Sequence, residues 1–241
     1  MNCTFNTVKS VYELFKFTSQ FQHNAKMNCT EDGISMFAMS ACNSVFVDVQ
    51  LPKEFFVTYS CPQPTTIGLN LNVLHSVLSN CKGADSLRMQ STDDTLLISV
   101  EGLEYTIKQV NIEAENMEIP ELEENFSVCI EPKTLKLWKK NIMDFTKSTL
   151  CIQPTKDEVV LTSRGDEGNV RMTHKQEYLA FNQPDSITLG NVNLVKVFGI
   201  GSVSDTLEMG YKNDMPLRMQ ANLREATLRV FLAPCIDMEE D

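Results

Sequence analysis

The 241-residue chain is poor in the features that mark an enzyme. It contains no G-x-G-x-x-G turn, no P-loop, no H-E-x-x-H and no G-x-S-x-G, so the common nucleotide, zinc-hydrolase and nucleophile-elbow chemistries have no local signature. Its three histidines, at 23, 75 and 174, lie far apart with no patterned nucleophile beside them. His23 and His75 fall on or near polar helix faces, where a solvated imidazole is expected. The eight cysteines (3, 29, 42, 61, 81, 129, 151 and 235) include no CxxC pair. That excludes the usual zinc spacing and predicts reduced thiols in an intracellular chain. The opening MNCTFNTVKSV lacks the apolar core of a signal peptide, and no hydrophobic run is long enough to cross a bilayer. The three glycosylation-type triplets at Asn2, Asn28 and Asn125 are therefore read as chance matches, and no membrane partner is expected.

Positive charge is also scarce. Lys and Arg number 21 against 32 Asp and Glu, a net charge of −11. Such a sum argues against broad contact with phosphates, but a groove responds to the charges that line it rather than to the total.

What the chain does have is a repeat. Val8–Met36 and Pro132–Leu161 each open beside a Lys, run as an amphipathic helix, and continue as strand, polar turn and strand. Residues 69–89 pair in the same way with 189–209. The offsets, near 120 to 125 residues, describe one unit used twice. In the first helix Val11, Leu14, Phe15, Thr18 and Phe21 share a face, and in the second Leu135, Trp138, Ile142 and Phe145 do so. Alternating segments at 45–51, 94–100 and 227–233 read as half-buried antiparallel strands. The expected architecture is α+β: two similar domains, each with two helices backed by antiparallel sheet, at 1–110 and 126–241. Between them, 111–125 holds six Glu and one Pro and reads as a solvated linker; no closing Gly, His or Asp accompanies its glutamates, so no metal is expected. Asp93-Asp94 is expected to cap a hairpin turn.

The lysines are unevenly spread. At 100° per residue, Lys133, Lys136, Lys139, Lys140 and Lys147 fall within an arc of about 120°, centred about 140° from the apolar arc. Five lysines on one face suit a solubilising surface and a phosphate-facing one equally. Lys9 and Lys16 point away from the core of the first helix, with Glu13 among them. The other helix pair offers Lys196 and, just past a helix end, Lys82.

Together, the duplicated unit, the acidic linker and a chain closing on FLAPCID and acidic residues resemble the proliferating cell nuclear antigen family of DNA sliding clamps. The likeness runs almost end to end, most specifically through 32–51, 68–78, 105–121, 214–219 and 231–237. It implies a clamp fold in which three subunits close head to tail into a ring around duplex DNA, helices inside and sheets outside. The implied protein is non-enzymatic, needs no cofactor, and tethers a DNA polymerase, with a ligase or nuclease and a clamp loader as further partners. The location implied is intracellular, at sites of replication, hence the nucleus where replication is nuclear. Carried over by position, a partner pocket takes Met39, Asn43, Phe46, Met117, Ile119, Met215, Pro216, Phe231, Ala233 and Pro234. DNA-facing positions are Lys9, Lys16, Lys82, Lys133, Lys136, Lys139, Lys140, Lys147 and Lys196. Subunit contacts fall on strand Leu103–Lys108, with Tyr105 and Lys108, and on Asn169–Lys175, with Asn169 and Arg171. Departures mark a divergent member, viral or otherwise distant. Tyr12, Glu13, Ser19, Ser76 and Ser79 stand where the family carries Lys, the 199–205 loop lacks its usual Lys, and Asn43 replaces a customary His. Two rivals follow from the thin lysine lining: a subunit of a heteromeric or monomeric clamp-like factor, and a clamp-fold transcription factor or scaffold that does not encircle DNA.

Overall fold

The computed structural model describes residues 1–81, 83, 86–112, 123–145, 149–165, 168–175 and 177–235. They group into two compact units, Met1–Glu118 with Asn222–Leu228, and Ile119–Ala221 with Arg229–Asp241. All strand pairs detailed below are antiparallel.

In the first unit, β1 (Asn2–Phe5), β5 (Thr58–Ser60), β7 (Leu87–Ser91), β8 (Thr95–Val100) and β9 (Leu103–Lys108) form a sheet in the order β5-β1-β7-β8-β9. The run β4 (Val45–Pro52), β3 (Gly33–Met39), β2 (Asn24–Thr30) and β6 (Thr65–Asn70) is ordered β4-β3-β2-β6. The remaining strands repeat both runs. One is β14 (Tyr178–Phe181), β10 (Phe126–Ile130), β16 (Thr206–Tyr211), β17 (Leu217–Leu223) and β18 (Ala226–Leu232), in that order. The other is β13 (Gly168–His174), β12 (Val159–Gly165), β11 (Thr149–Pro154) and β15 (Ile187–Gly190). Strand for strand, the second pair of runs reproduces the first, so the sequence repeat is a repeat of topology.

Two helices accompany each unit. Helix α1 (Val8–Thr18) packs on α2 (Leu71–Cys81); α3 (Pro132–Phe145) packs on α4 (Asn191–Val197) and on the 3₁₀ turn Phe198–Ser202 that extends it. The apolar faces are those the periodicity predicts. Val11, Leu14 and Phe15 are buried on α1, and Leu135, Trp138 and Ile142 on α3. Thr18 is fully buried on the same face because its hydroxyl donates to the Leu14 carbonyl at 3.0 Å, which removes the cost of an unmet polar group. Phe21 is also buried, but it lies past the end of α1, edge-on to Phe17 at 5.3 Å. The side chain of Phe145 lies outside the described residues. The early switch of α4 to 3₁₀ geometry coincides with Gly199 and Gly201, which weaken helical preference.

Strand alternation builds the remaining core. In β18, Ala226, Leu228, Val230 and Leu232 are buried while Thr227, Arg229 and Phe231 take the opposite face, as a period of two requires. Burying large aliphatic side chains of this kind stabilises by roughly 1.5–3 kcal/mol each.

Candidate nucleic-acid and partner interface

The lysines divide unequally between the units. On α3, Lys133, Lys136 and Lys140 are exposed and Lys139 is half-buried; no ion pair engages any of them among the described residues. Leu137 and Met143 are also exposed there, so the cationic face has apolar margins. On α1, Lys9 is exposed, whereas Lys16 reaches Glu13 at 3.4 Å and lies 5.4 Å from the centre of the Tyr12 ring. Helix α2 carries no Lys or Arg, and α4 offers Lys196 beside an exposed Val192. Lys82 and Lys147 lie outside the described residues. An unpaired lysine keeps its full charge for a phosphate, while Lys16 must first give up a carboxylate.

Two of the strands expected at subunit contacts are sheet edges. β9 ends its sheet, with Leu103, Glu104, Thr106 and Lys108 exposed and Tyr105 half-buried. The Tyr105 hydroxyl receives the Cys81 thiol at 3.9 Å. β13 ends its own run, with Asn169 and Arg171 exposed. Among the described residues, the ion pair of Arg171 is a 3.9 Å contact with Glu158 on a largely exposed side chain, worth little energetically. Edges of this length that stay open invite pairing with another chain.

Of the pocket positions, the first unit holds three. Met39 and Phe46 are opposite one another across β3 and β4. The Met39 N–H donates to Gln22 Oε1 at 2.7 Å, and Phe46 stacks on Phe37 at 5.7 Å. Asn43 is exposed in the β3–β4 turn at φ 55°, its N–H bonded to the Ser40 carbonyl at 2.9 Å; Asn is among the few residues that tolerate this conformation. The second unit holds five. Half-buried Met215 and Pro216 precede β17, and half-buried Phe231, Ala233 and Pro234 close or follow β18. The chain just past Pro234 is pinned where the Cys235 N–H donates to the Thr188 carbonyl at 2.8 Å. Met117 and Ile119 lie outside the described residues.

Several sequence readings need correction. His75 is not a solvated imidazole. Its ring stacks on Tyr12 at 5.1 Å, and its Nε2 is buried without a hydrogen-bond partner among the described residues, because the surface at this point faces α1. His23 is exposed but engaged, its Nδ1 2.9 Å from the Asn72 side-chain amide. Asp93-Asp94 does lie at the β7–β8 turn, yet the turn is tied by Thr92 and Thr95, whose hydroxyls are 2.7 Å apart. Glu124, expected as one more solvated linker glutamate, is a structural anchor. It binds Arg218 at 2.6 and 2.9 Å, in a pair whose side chains are both only 16% exposed. Burial works against the guanidinium charge, but Glu124 and Glu208 more than offset it and hold Arg218 above its ordinary value. Nothing local in the sequence marks a partner so distant along the chain.

No group of three or more His, Cys, Asp or Glu side chains among the described residues is arranged to hold a metal. Cys3 and Cys29 are deeply buried thiols, each pushed up to about 12 chiefly by burial, which makes them inert rather than nucleophilic.

Comparison with known proteins agrees with this architecture. Residues 4–124 match the family model described as proliferating cell nuclear antigen, N-terminal domain. Among curated relatives, the proliferating cell nuclear antigen of Chaetomium thermophilum is 27% identical over 236 residues, covering 90% of this chain and 91% of that one. The DNA polymerase sliding clamp 1 of Thermococcus kodakarensis is 27% identical over 244 residues, covering 97% of each. The crystal structure of the Entamoeba histolytica proliferating cellular nuclear antigen superposes with a TM-score of 0.91 at 20% identity, covering 98% of both chains. The fold is thus the duplicated clamp fold. The chain belongs to the proliferating cell nuclear antigen family, a family of non-enzymatic processivity factors.

Proposed function

We propose that this protein is a DNA sliding clamp: three copies close into a ring around duplex DNA and tether a polymerase and other replication or repair enzymes through a hydrophobic peptide groove. The observation that carries the reading is end-to-end similarity to curated sliding clamps, joined to a helix whose lysines carry no ion pair among the described residues. The mechanism is topological. Closure prevents escape, and a few mobile Lys–phosphate contacts permit sliding without reading sequence. The groove would gather Met39, Asn43, Phe46, Met117, Ile119, Met215, Pro216, Phe231, Ala233 and Pro234 around a short peptide with aliphatic and aromatic anchors. Methionines suit such a surface because they repack around different partners. The site of action is intracellular, where DNA is replicated, and a loader would open the ring.

One feature favours a second reading, a clamp-fold subunit or scaffold that does not encircle DNA by itself: α2 has no cation and Lys16 is already paired. Light scattering of the purified chain, followed by primer extension with its cognate polymerase on circular template, tests the first reading. A trimer that lengthens products is expected; a monomer that leaves product length unchanged would overturn it.

A further inference from the structure

The core face of β3 consists of Ile34, Met36 and Ala38, all buried. Phe37 stands on the opposite, outward face, half-buried, and stacks on Phe46 of β4 with ring centres 5.7 Å apart and planes at 21°. A ring that fills no core space and lies against another on the surface enlarges the apolar face that Met39 and Phe46 present. Strand register shows where that face ends. Phe37 is flanked by Asp48 on β4 and by Lys26 on β2. The next row, Gln50, Ser35, Asn28 and Thr66, is polar, with the Thr66 hydroxyl donating to Asn28 Oδ1 at 3.3 Å. Asp48 is fully buried and accepts from the Gln50 amide at 2.6 Å. Among the described residues, Lys26 is the only cation on the outward faces of β2, β3 and β4, and no ion pair engages it.

Lys26 also lines a cleft of about 730 Å³. Opposite it on β6 stands Gly68, where the Val110 carbonyl occupies the place of a side chain: a Cβ there would sit 2.0 Å from that oxygen. The Val110 N–H donates to the Gly68 carbonyl at 2.9 Å, the Gln109 side-chain amide to the Thr92 carbonyl at 2.8 Å, and the Gln109 N–H to the Asp94 carbonyl at 2.9 Å. The backbone leaving β9 is therefore a fixed floor next to Lys26. Asp93 and Asp94 enter the cleft from the β7–β8 turn of the other sheet. An anion is thus accepted at the Lys26 end, beside Phe37, and not throughout the cleft.

We infer that Phe37 and Lys26 form a flanking subsite for the partner peptide: a large apolar residue that follows its aromatic anchors packs on the Phe37 ring, and an acidic residue just beyond pairs with Lys26. The subsite rests on the groove reading and deepens it, because it names the class of partner. Strand spacing sets the length of the flank. From Phe46 on β4 to Lys26 on β2 is two strand spacings, about 10 Å, which an extended peptide covers in about three residues. The net charge of −11 disfavours acidic peptides in general. One unpaired cation at the end of an apolar groove reverses that preference locally, so it selects among partners more than it adds affinity.

Calorimetry of the full chain with three synthetic peptides tests this. All carry Gln, an aliphatic anchor and two aromatics; one ends there, one continues Ala-Leu-Glu, and one continues Ala-Leu-Lys. Wild type should bind the Glu-flanked peptide most tightly. Phe37→Ala should weaken that peptide at least about five-fold more than it weakens the unflanked one, the scale of a packed aromatic contact. Lys26→Glu should invert the preference between the Glu and Lys flanks, and the inversion should shrink at high salt. Both side chains face outward, and melting curves verify folding. Equal weakening of both peptides by Phe37→Ala would show that the ring only braces Phe46 and would overturn the subsite. A Glu-over-Lys preference untouched by Lys26→Glu would overturn it as well. A wild-type chain that binds none of the three would instead overturn the groove itself.

Discussion

Glu124 grips Arg218 with both carboxylate oxygens, at 2.6 and 2.9 Å, at a point where only a glycine fits beside it. A Cβ at Gly210 would meet Glu124 Oε2 at 2.5 Å. Gln220 and Glu208 complete the guanidinium's partners at 2.8 and 3.5 Å. The pair thus fastens the strand entering the second unit to its central sheet. Replacing Glu124 with Gln keeps the shape and one acceptor but leaves a half-buried cation undercompensated. The expected loss is about 2 kcal/mol, in the range for hydrogen bonds to charged groups, read as a lower urea midpoint with unchanged slope. A midpoint equal to wild type would show that the pair contributes nothing net.

That anchor also marks where sequence reasoning stops. The helices α1 and α3 were legible because burial on a helix follows a local period, and Val11, Leu14, Leu135 and Trp138 all obey it. The repeat was legible because both copies keep the same order of apolar and polar segments, and the topology of the two units reproduces it. Tyr105 and Asn169 come from the family resemblance rather than from any local pattern, and both fall on strands that end their sheets. Glu124 and Gln109 could not be read, since their roles depend on partners chosen by packing and not by spacing. His75 was misread because amphipathicity describes one helix at a time, whereas its ring answers to Tyr12 on another.

Alkaline pH should destabilise the first unit. Cys3 and Cys29 have an ordinary thiol value of 9.0 and are pushed up to about 12 by burial, and burial likewise raises the Tyr59 phenol. Above pH 9 the unfolded chain therefore loses thiol protons that the folded chain retains. Stability is full below 9 and falls as pH climbs from 9 toward 12. Urea midpoints at pH 8, 9 and 10 should decline accordingly, and the decline should be shallower in Cys29→Ala even though that variant starts lower. A flat profile for wild type would contradict the burial-driven shift.

Gly68→Ala should act at the linker root. The added methyl carbon would lie 2.0 Å from the Val110 oxygen, backbone that cannot step aside without giving up its bond to residue 68. The expected result is a loss of about 1–3 kcal/mol, as for overpacking, with faster hydrogen exchange at the Val110 amide. Unchanged protection there would mean that the crossing is not held at this point.

The α3 lysines should carry most of the salt dependence of DNA binding. Changing Lys133, Lys136 and Lys140 to Ala removes exposed cations that no described carboxylate engages. Each phosphate left without its lysine should lower the log–log salt slope by about 0.9. The Lys9→Ala, Lys16→Ala pair should lower it less, because Lys16 already faces Glu13. Fold should survive in both, since these side chains point away from the core. Equal slopes for the two variants would remove the asymmetry between the units.

The proposed hydrophobic groove makes the sharpest demand on one side chain. Phe231 stands on the face of β18 opposite the core, half-buried, just before Ala233, Pro234 and the pinned Cys235. In the groove reading it is a wall against which a partner's aromatic anchors pack. Truncating such a central aromatic typically costs about 2 kcal/mol or more, roughly thirty-fold in affinity. A peptide carrying Gln, an aliphatic anchor and two aromatics should therefore bind wild type in calorimetry and fail to bind Phe231→Ala. The oligomeric state and melting profile should change little, because the buried face of β18 is untouched. Removing Met238–Asp241 should weaken binding far less, since charges at a rim chiefly tune encounter rate and salt sensitivity. If loss of that tail proves as damaging as Phe231→Ala, the affinity resides in acidic charge and the groove is not where the peptide anchors.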